Sequence, residues 1–310
     1  MASDGRIIAA AMHWLESHLL AIGSALVAAL CAAVGIVLRQ RAGQTVDAGD
    51  AGDAATAAGS VGRLLGDPMW WAGTAAAIAG YAFQALALAH GSLLLVQPLL
   101  VSALLFALPL SAALNHQRIT GTEWMWAGLL TAGLAVFVLV GQPHEGHYRP
   151  PVPAWTLAVG ITASVVIVCV VLACRCTGAR RAMLLAVAVA VLLGMIAVLT
   201  KVCTHRFAVG GWQHLLSAPA IYLLIVLAVV VTVLQQRAFH AGALQASVPI
   251  MLVGEPLVAV GLGVLVLGEY LSVSGPAALV LPAAVAAMVA AAVALGRDSA
   301  AHTPAAGARQ

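Results

Sequence analysis

Apolar positions in this chain do not alternate with polar ones at the period of a half-buried strand or a surface helix. They run in blocks of about twenty, the length needed to cross a bilayer, and polar turns separate the blocks. Nine blocks meet that length, at about 17–38, 69–89, 93–114, 123–141, 154–174, 181–202, 217–239, 244–268 and 273–296. Most of the connections are short, and the longer ones are 39–68 and 203–216. Segment 42–67 is rich in Ala, Gly and Asp, with Asp47, Asp50, Asp53 and Asp67. It is too polar to span, so the pattern predicts a loop there with at most a short surface helix. The run Leu19 to Leu38 is too long for the core of a signal peptide. Arg39 and Arg41 follow it with no cleavage motif, so it reads as a retained helix.

Composition agrees with the pattern. Hydrophobic residues make up 63% of the 310 positions and charged residues 8%, whereas soluble domains carry about a quarter charged residues. The predicted class is an all-α polytopic membrane protein of about nine transmembrane helices. Its parts are an N-terminal segment 1–16, a first repeat 17–141 that includes loop 42–67, a second repeat 154–296, and a disordered tail 297–310.

The positive-inside rule orients it with the N-terminus outside and the C-terminus in the cytoplasm of a cell or inner membrane. Arg39, Arg41, Arg63, Arg118, Arg175, Arg180, Arg181, Arg237, Arg297 and Arg309 then lie inside, against Arg6, Arg149, Lys201 and Arg206 outside. Trp70, Trp71, Trp124, Trp126, Trp155 and Trp212 fall near helix ends, as an interfacial belt requires. The net charge of +3 is spread thinly, with no basic cluster interleaved with aromatics, which argues against nucleic acid as a partner. The expected partners are the bilayer, a small-molecule or cation substrate and, at most, a second copy of the chain.

An internal repeat is visible. The stretch Leu95–Ile119 aligns with Ser247–Leu271, each with a proline early in the helix (Pro98, Pro249) and a polar turn after it. The two units have opposite orientations in the topology above, and inverted repeats mark secondary transporters.

The motifs carry a family likeness. Glu255-Pro256 followed by Leu267-Gly268-Glu269-Tyr270-Leu271 resembles the E-P…L-G-E-x-L end of the repeat in the drug/metabolite transporter superfamily. Trp70-Trp71-Ala72-Gly73, Tyr81-Ala82-Phe83, Val96-Gln97-Pro98-Leu99, Gln236 with Ala238-Phe239, and Val248-Pro249-Ile250 are similar to the motifs of its NIPA-like magnesium transporter branch. The likeness implies an EamA-like fold of two inverted repeats, and transport by alternating access. Two positions depart from the branch: its acidic residue after the first helix pair is Gln117 here, and its Asn-Lys pair is Arg237-Ala238.

Among candidate site residues, Glu255 stands out. A carboxylate near the middle of a spanning helix costs about 2.5–3.5 kcal/mol on insertion scales, and such groups mark pathways or relays. Pro256 removes a backbone donor beside it and frees carbonyls one turn earlier. Gln97, Gln84 and Gln236 are amides that either contact substrate or tie helices together. Lys201, near the outer end of its helix, is either a cationic gate or a lysine snorkelling to the interface. Glu269 reads as an outer-turn residue whose Gln variant is silent. His144-Glu145-Gly146-His147 has metal-like residue types without the H-E-x-x-H spacing, and reads as a solvated loop.

No nucleophile–base pair, Walker loop or dinucleotide fingerprint is present, so neither an enzyme nor a cofactor is expected, and any metal is left open. The expected function is secondary transport of a small metabolite or cation, possibly proton-coupled through Glu255. A NIPA-like magnesium transporter and a non-transporting accessory protein are the alternatives. The topology gives a direct expectation. A reporter fused after Gln310 is active only as a cytoplasmic one, and the loops carrying Gly146 and Gly178 report opposite compartments. One compartment for both loops would mean a wrong helix count.

Overall fold

The computed structural model describes residues 18–50, 66–114, 119–146, 152–240, 244–273 and 279–301. Residues 51–65 of segment 42–67, Gln117, His147, the N-terminal segment 1–16 and the tail from 302 lie outside the described residues. The helices are α1 Leu19–Asp50, α2 Pro68–His90, α3 Leu93–Val101, α4 Ala103–Leu114, α5 Gly121–Gly141, α6 Val152–Cys174, α7 Gly178–Leu216, α8 Pro219–His240, α9 Leu244–Leu262 and α10 Val280–Ala301. Two short strands, β1 Pro143–His144 and β2 Tyr270–Leu271, pair antiparallel, with Pro143 opposite Leu271 and His144 opposite Tyr270.

Helix starts follow local chemistry. Asp67 caps α2, its Oδ1 accepting from Met69 N at 2.8 Å, and Pro68 occupies the first helical position, where a missing N–H costs nothing. Thr120 and Glu123 form a reciprocal capping box at the start of α5. Where the sequence predicts one helix over 93–114, the structure has two, joined at Ser102. Its N–H turns back to Leu99 O, three residues earlier, and its hydroxyl donates to the same carbonyl at 2.6 Å. Pro98 and Pro109 each lack the N–H of a regular ladder, so the tightened turn falls between two weak points.

Two expectations about loops are corrected. Helix α1 continues to Asp50, through the first part of segment 42–67, because no proline interrupts it and Arg41 anchors it by donating to Leu114 O at 2.6 Å. Helix α7 runs through the expected linker 203–216, and its only non-helical residues are Gly210 and Gly211. Its 39 residues would measure about 58 Å at 1.5 Å each. That is nearly twice the roughly 30 Å hydrocarbon layer, so its far end lies beyond that layer or along its surface.

Among the described residues nine helical spans are long and apolar enough to cross a membrane, at the nine places the hydrophobic pattern predicts. Their outward faces are apolar: Ile161, Ile167, Val168, Val171 and Leu172 on α6, and Ile225, Val226, Val229 and Val233 on α8, are all exposed. A water-facing surface does not carry patches of this extent. The protein is an all-α, multi-pass membrane protein.

Helix α7 is the spine of the bundle. It packs on α9, α8 and α6, while α1 packs along α2 and α5 along α10. Contacts of α2 with α7, α3 with α9 and α5 with α10 join residues 19–141 to residues 152–301. The seam between α7 and α9 depends on Gly194. A Cβ there would sit 2.6 Å from Val258 Cγ1 and 2.9 Å from the backbone nitrogen of Ala259. Lipid gives no hydrophobic drive for helix association, so this close backbone approach supplies the packing energy instead. Gly194→Ala should therefore destabilise the protein by about 1–3 kcal/mol through overpacking, read as a lower melting temperature in detergent. Gly160→Ala on α6, where a Cβ meets nothing within 4 Å, should leave the melt unchanged or raise it. Equal melts for the two variants would refute the close-packed seam.

Candidate functional site

The end of α9 builds one polar centre. Its helix finishes in a π-helical turn, Gly263–Leu267, and Gly268 then adopts a left-handed conformation (φ 65°) that reverses the chain. The reversal aims Glu269 back into the bundle, where it is 1% exposed. Its two carboxylate oxygens accept from the backbone N–H groups of Leu93, at 2.9 Å, and Leu94, at 3.0 Å. Ser92 accepts the next N–H, that of Leu95, through its hydroxyl at 3.1 Å. The first amides of α3, which have no partner within their own helix, are thus satisfied in the interior, and a negative charge sits at the positive end of the helix dipole.

Lys201, on α7, neutralises that charge. Its Nζ is 2.9 Å from Glu269 Oε1 and donates to Gly91 O at 2.9 Å, and Glu145 Oε1 is 3.5 Å away. Side-chain exposure is 3% for Lys201, 0% for Glu269 and 29% for Glu145. Neither alternative reading of Lys201 as an interfacial snorkel nor of Glu269 as a silent turn residue survives this geometry, because both are buried and bonded to each other. Residues 143–146 lie over the pair. His144 stacks on Tyr270 at 5.4 Å, Ser272 N donates to Gly141 O at 3.1 Å, and a Cβ on Gly146 would fall 1.9 Å from Leu267 O. The expected solvated loop is therefore a packed cover. Glu269→Gln would leave Lys201 uncompensated, and breaking one side of a buried pair costs roughly 3–5 kcal/mol. A thermal melt of that variant should fall by many degrees, where a silent turn residue would leave it unmoved.

Glu255 belongs to a different layer. It lies on α9 twelve residues before Leu267, which is about 18 Å along the helix at 1.5 Å per residue. It is half-buried, and among the described residues no basic group offsets it. The Tyr81 phenol on α2 lies within electrostatic reach of both Glu255 and Arg39. Tyr81 is 70% exposed, so this layer is more open than the one around Glu269.

Pro256, next to Glu255, lines an apolar cavity of about 80 Å³ with Pro98, Val101, Phe137, Val260 and Met288. Gln97 is 1% exposed, one turn from the Glu269 centre, and its Nε2 has no hydrogen-bond partner. Gln84 is half-buried on α2, and Gln236 is exposed near the end of α8. The predicted residues therefore separate. Glu255 keeps company with Tyr81, Pro256 shares a cavity with Pro98, Lys201 joins Glu269, and Gln236 stands apart. Among the described residues no three of His, Cys, Asp or Glu converge.

Sequence reasoning missed the roles of Glu269, Glu145 and Gly91. The usable signal was Lys201 itself, a lone cation in an apolar run, which needs an acidic partner wherever it is not at the interface.

The chain is similar to an uncharacterized protein of Corynebacterium glutamicum, with 36% identity over 286 residues that cover 92% of this chain and 97% of the other. No family model matches it, and no solved structure does. The chain therefore belongs to the same family as that corynebacterial membrane-length relative.

Proposed function

We propose that the protein is a secondary transporter that moves a small metabolite or cation by alternating access, with Glu255 as the group that binds cargo or a coupling proton. One observation carries the reading. Glu255 is a half-buried carboxylate in the middle of a spanning helix, with no basic partner among the described residues. An intramembrane acid is expensive and persists where it has work to do. The apolar cavity shared by Pro98 and Pro256 gives further support, since it joins the two prolines' helices at the seam between the halves. In this reading the halves are inverted repeats of the drug/metabolite transporter kind, the N-terminus is outside, and the protein sits in the cell membrane. Residues Gln97 and Gln84 would line the path.

The motif likeness to the NIPA-like branch favours magnesium as cargo. A single carboxylate favours an organic or protonated cargo instead, because magnesium keeps its waters and is usually held by one or two carboxylates together with other oxygen ligands. A thermal-shift series with metabolites, lipophilic cations and Mg²⁺ identifies the class, since a ligand stabilises the protein it binds by mass action. Liposomes holding the purified protein then test movement of whichever compound shifts the melt. Glu255→Gln keeps shape and hydrogen bonding but cannot ionise. It should insert and melt within a few degrees of the parent, exchange cargo downhill, and lose about tenfold or more of uphill accumulation. Full uphill accumulation in Glu255→Gln would remove Glu255 from coupling. No movement of any shifting compound would favour the accessory reading.

A further inference from the structure

We propose that Lys201 and Glu269 are the closing device of a gate at the Glu145 end of the bundle: they dock as one neutral pair on the α2–α3 turn when that end is shut, and undock from it, still paired, when it opens. The inference rests on the transport reading and supplies the moving part that reading lacks.

The partition of partners carries the argument. Lys201 and Glu269 both belong to the second half of the chain, while Gly91, Leu93 and Leu94 belong to the first. Three hydrogen bonds therefore cross between the halves at this point: Leu93 N and Leu94 N to the Glu269 carboxylate, and Lys201 Nζ to Gly91 O. The fourth contact, Lys201 to Glu269 at 2.9 Å, stays within the second half. If the halves separate here, the charges remain neutralised, and what is lost is three backbone contacts that water can replace. An ion pair split between the halves would instead expose two bare charges each time the end opened.

The surroundings fit a removable seal. The cover over the pair is the short β1–β2 ladder, with two pairs of residues and one stacked ring contact. Glu145, part-exposed and 3.5 Å from Lys201, leads from the buried pair toward the surface. On the other side of the pair, Glu255 lies a further twelve residues down α9, so the seal stands between it and the Glu145 end.

The obvious variant, Glu269→Gln, is expected to unfold the protein, so the test removes one docking bond from the other half. Leu93 is the first residue of α3, and Ser92 before it is extended (ψ 156°). Proline fits that position, and the residue ahead of it already has the required conformation. Leu93→Pro deletes one N–H donor to Glu269, and Leu93→Val trims the side chain but keeps the donor. The reporter is Ala197→Cys, buried one turn from Lys201 on the same helix face, in a chain whose five native cysteines are replaced. Protein in liposomes is treated with a membrane-impermeant methanethiosulfonate cation.

Leu93→Pro should raise the labelling rate of the reporter about tenfold or more over Leu93→Val, the scale of one lost hydrogen bond to a charged group. As a complementary lock, Pro143→Cys with Leu271→Cys, opposite each other in the ladder, should suppress labelling when oxidised and restore it on reduction. Equal rates for the Pro and Val variants would overturn the gate, as would labelling that the oxidised lock does not suppress. If Leu93→Pro fails to fold, the lock alone decides. Labelling needs no cargo, so a gate that responds in a protein that moves nothing would defeat the transport reading and not this one.

Discussion

Lipid offers no hydrogen bonds, so a helix that begins inside a membrane protein must find partners for its first amides within the protein. Helix α3 begins there, at Leu93, and its opening residues are fully buried. The Glu269 carboxylate answers two of those amides and Ser92 a third. A buried carboxylate in turn needs compensation, which Lys201 and the α3 dipole provide together. Lys201 alone in this interior would be as costly as Glu269 alone. Each group is tolerable only because the others are present, and together they fix the relative positions of α2, α3, α7 and the end of α9.

The requirement shapes the backbone around it. To aim Glu269 inward, α9 must stop abruptly and turn, which the π-helical turn and the left-handed Gly268 accomplish. To bring Lys201 within reach, α7 must run close to α9, which it does where Gly194 meets Val258. Helix α7 thus carries both the small residue that permits the approach and the charge that exploits it. The β1–β2 ladder then covers the pair from above.

Much of the fold was legible. Nine apolar blocks became nine spans because length and hydropathy are local properties, and in lipid each span must satisfy its own backbone. Helix ends were less legible. The extension of α1 to Asp50 and of α7 to Leu216 goes beyond the apolar blocks, where composition ceases to discriminate between helix and loop. The depth of Glu255 was legible from its place in an apolar run. The role of Glu269 was not, because sequence shows a turn after a helix and says nothing of which way the turn points. Gly268 was the hint: a glycine at a helix end signals a left-handed reversal, and a reversal can carry the next residue inward.

The two glutamates of α9 and its turn differ in what they have left to offer. Glu269 has both oxygens engaged by backbone donors and its charge met by Lys201, so any cargo would have to displace bonds already made. Glu255 has an aromatic hydroxyl within electrostatic reach and no basic partner among the described residues. A carboxylate that is satisfied holds structure, and one that is incompletely satisfied can exchange partners. The same chemical group, placed at two depths of one segment, is suited to fastening in one place and to binding in the other. The difference follows from which backbone and side-chain donors the fold brings to each.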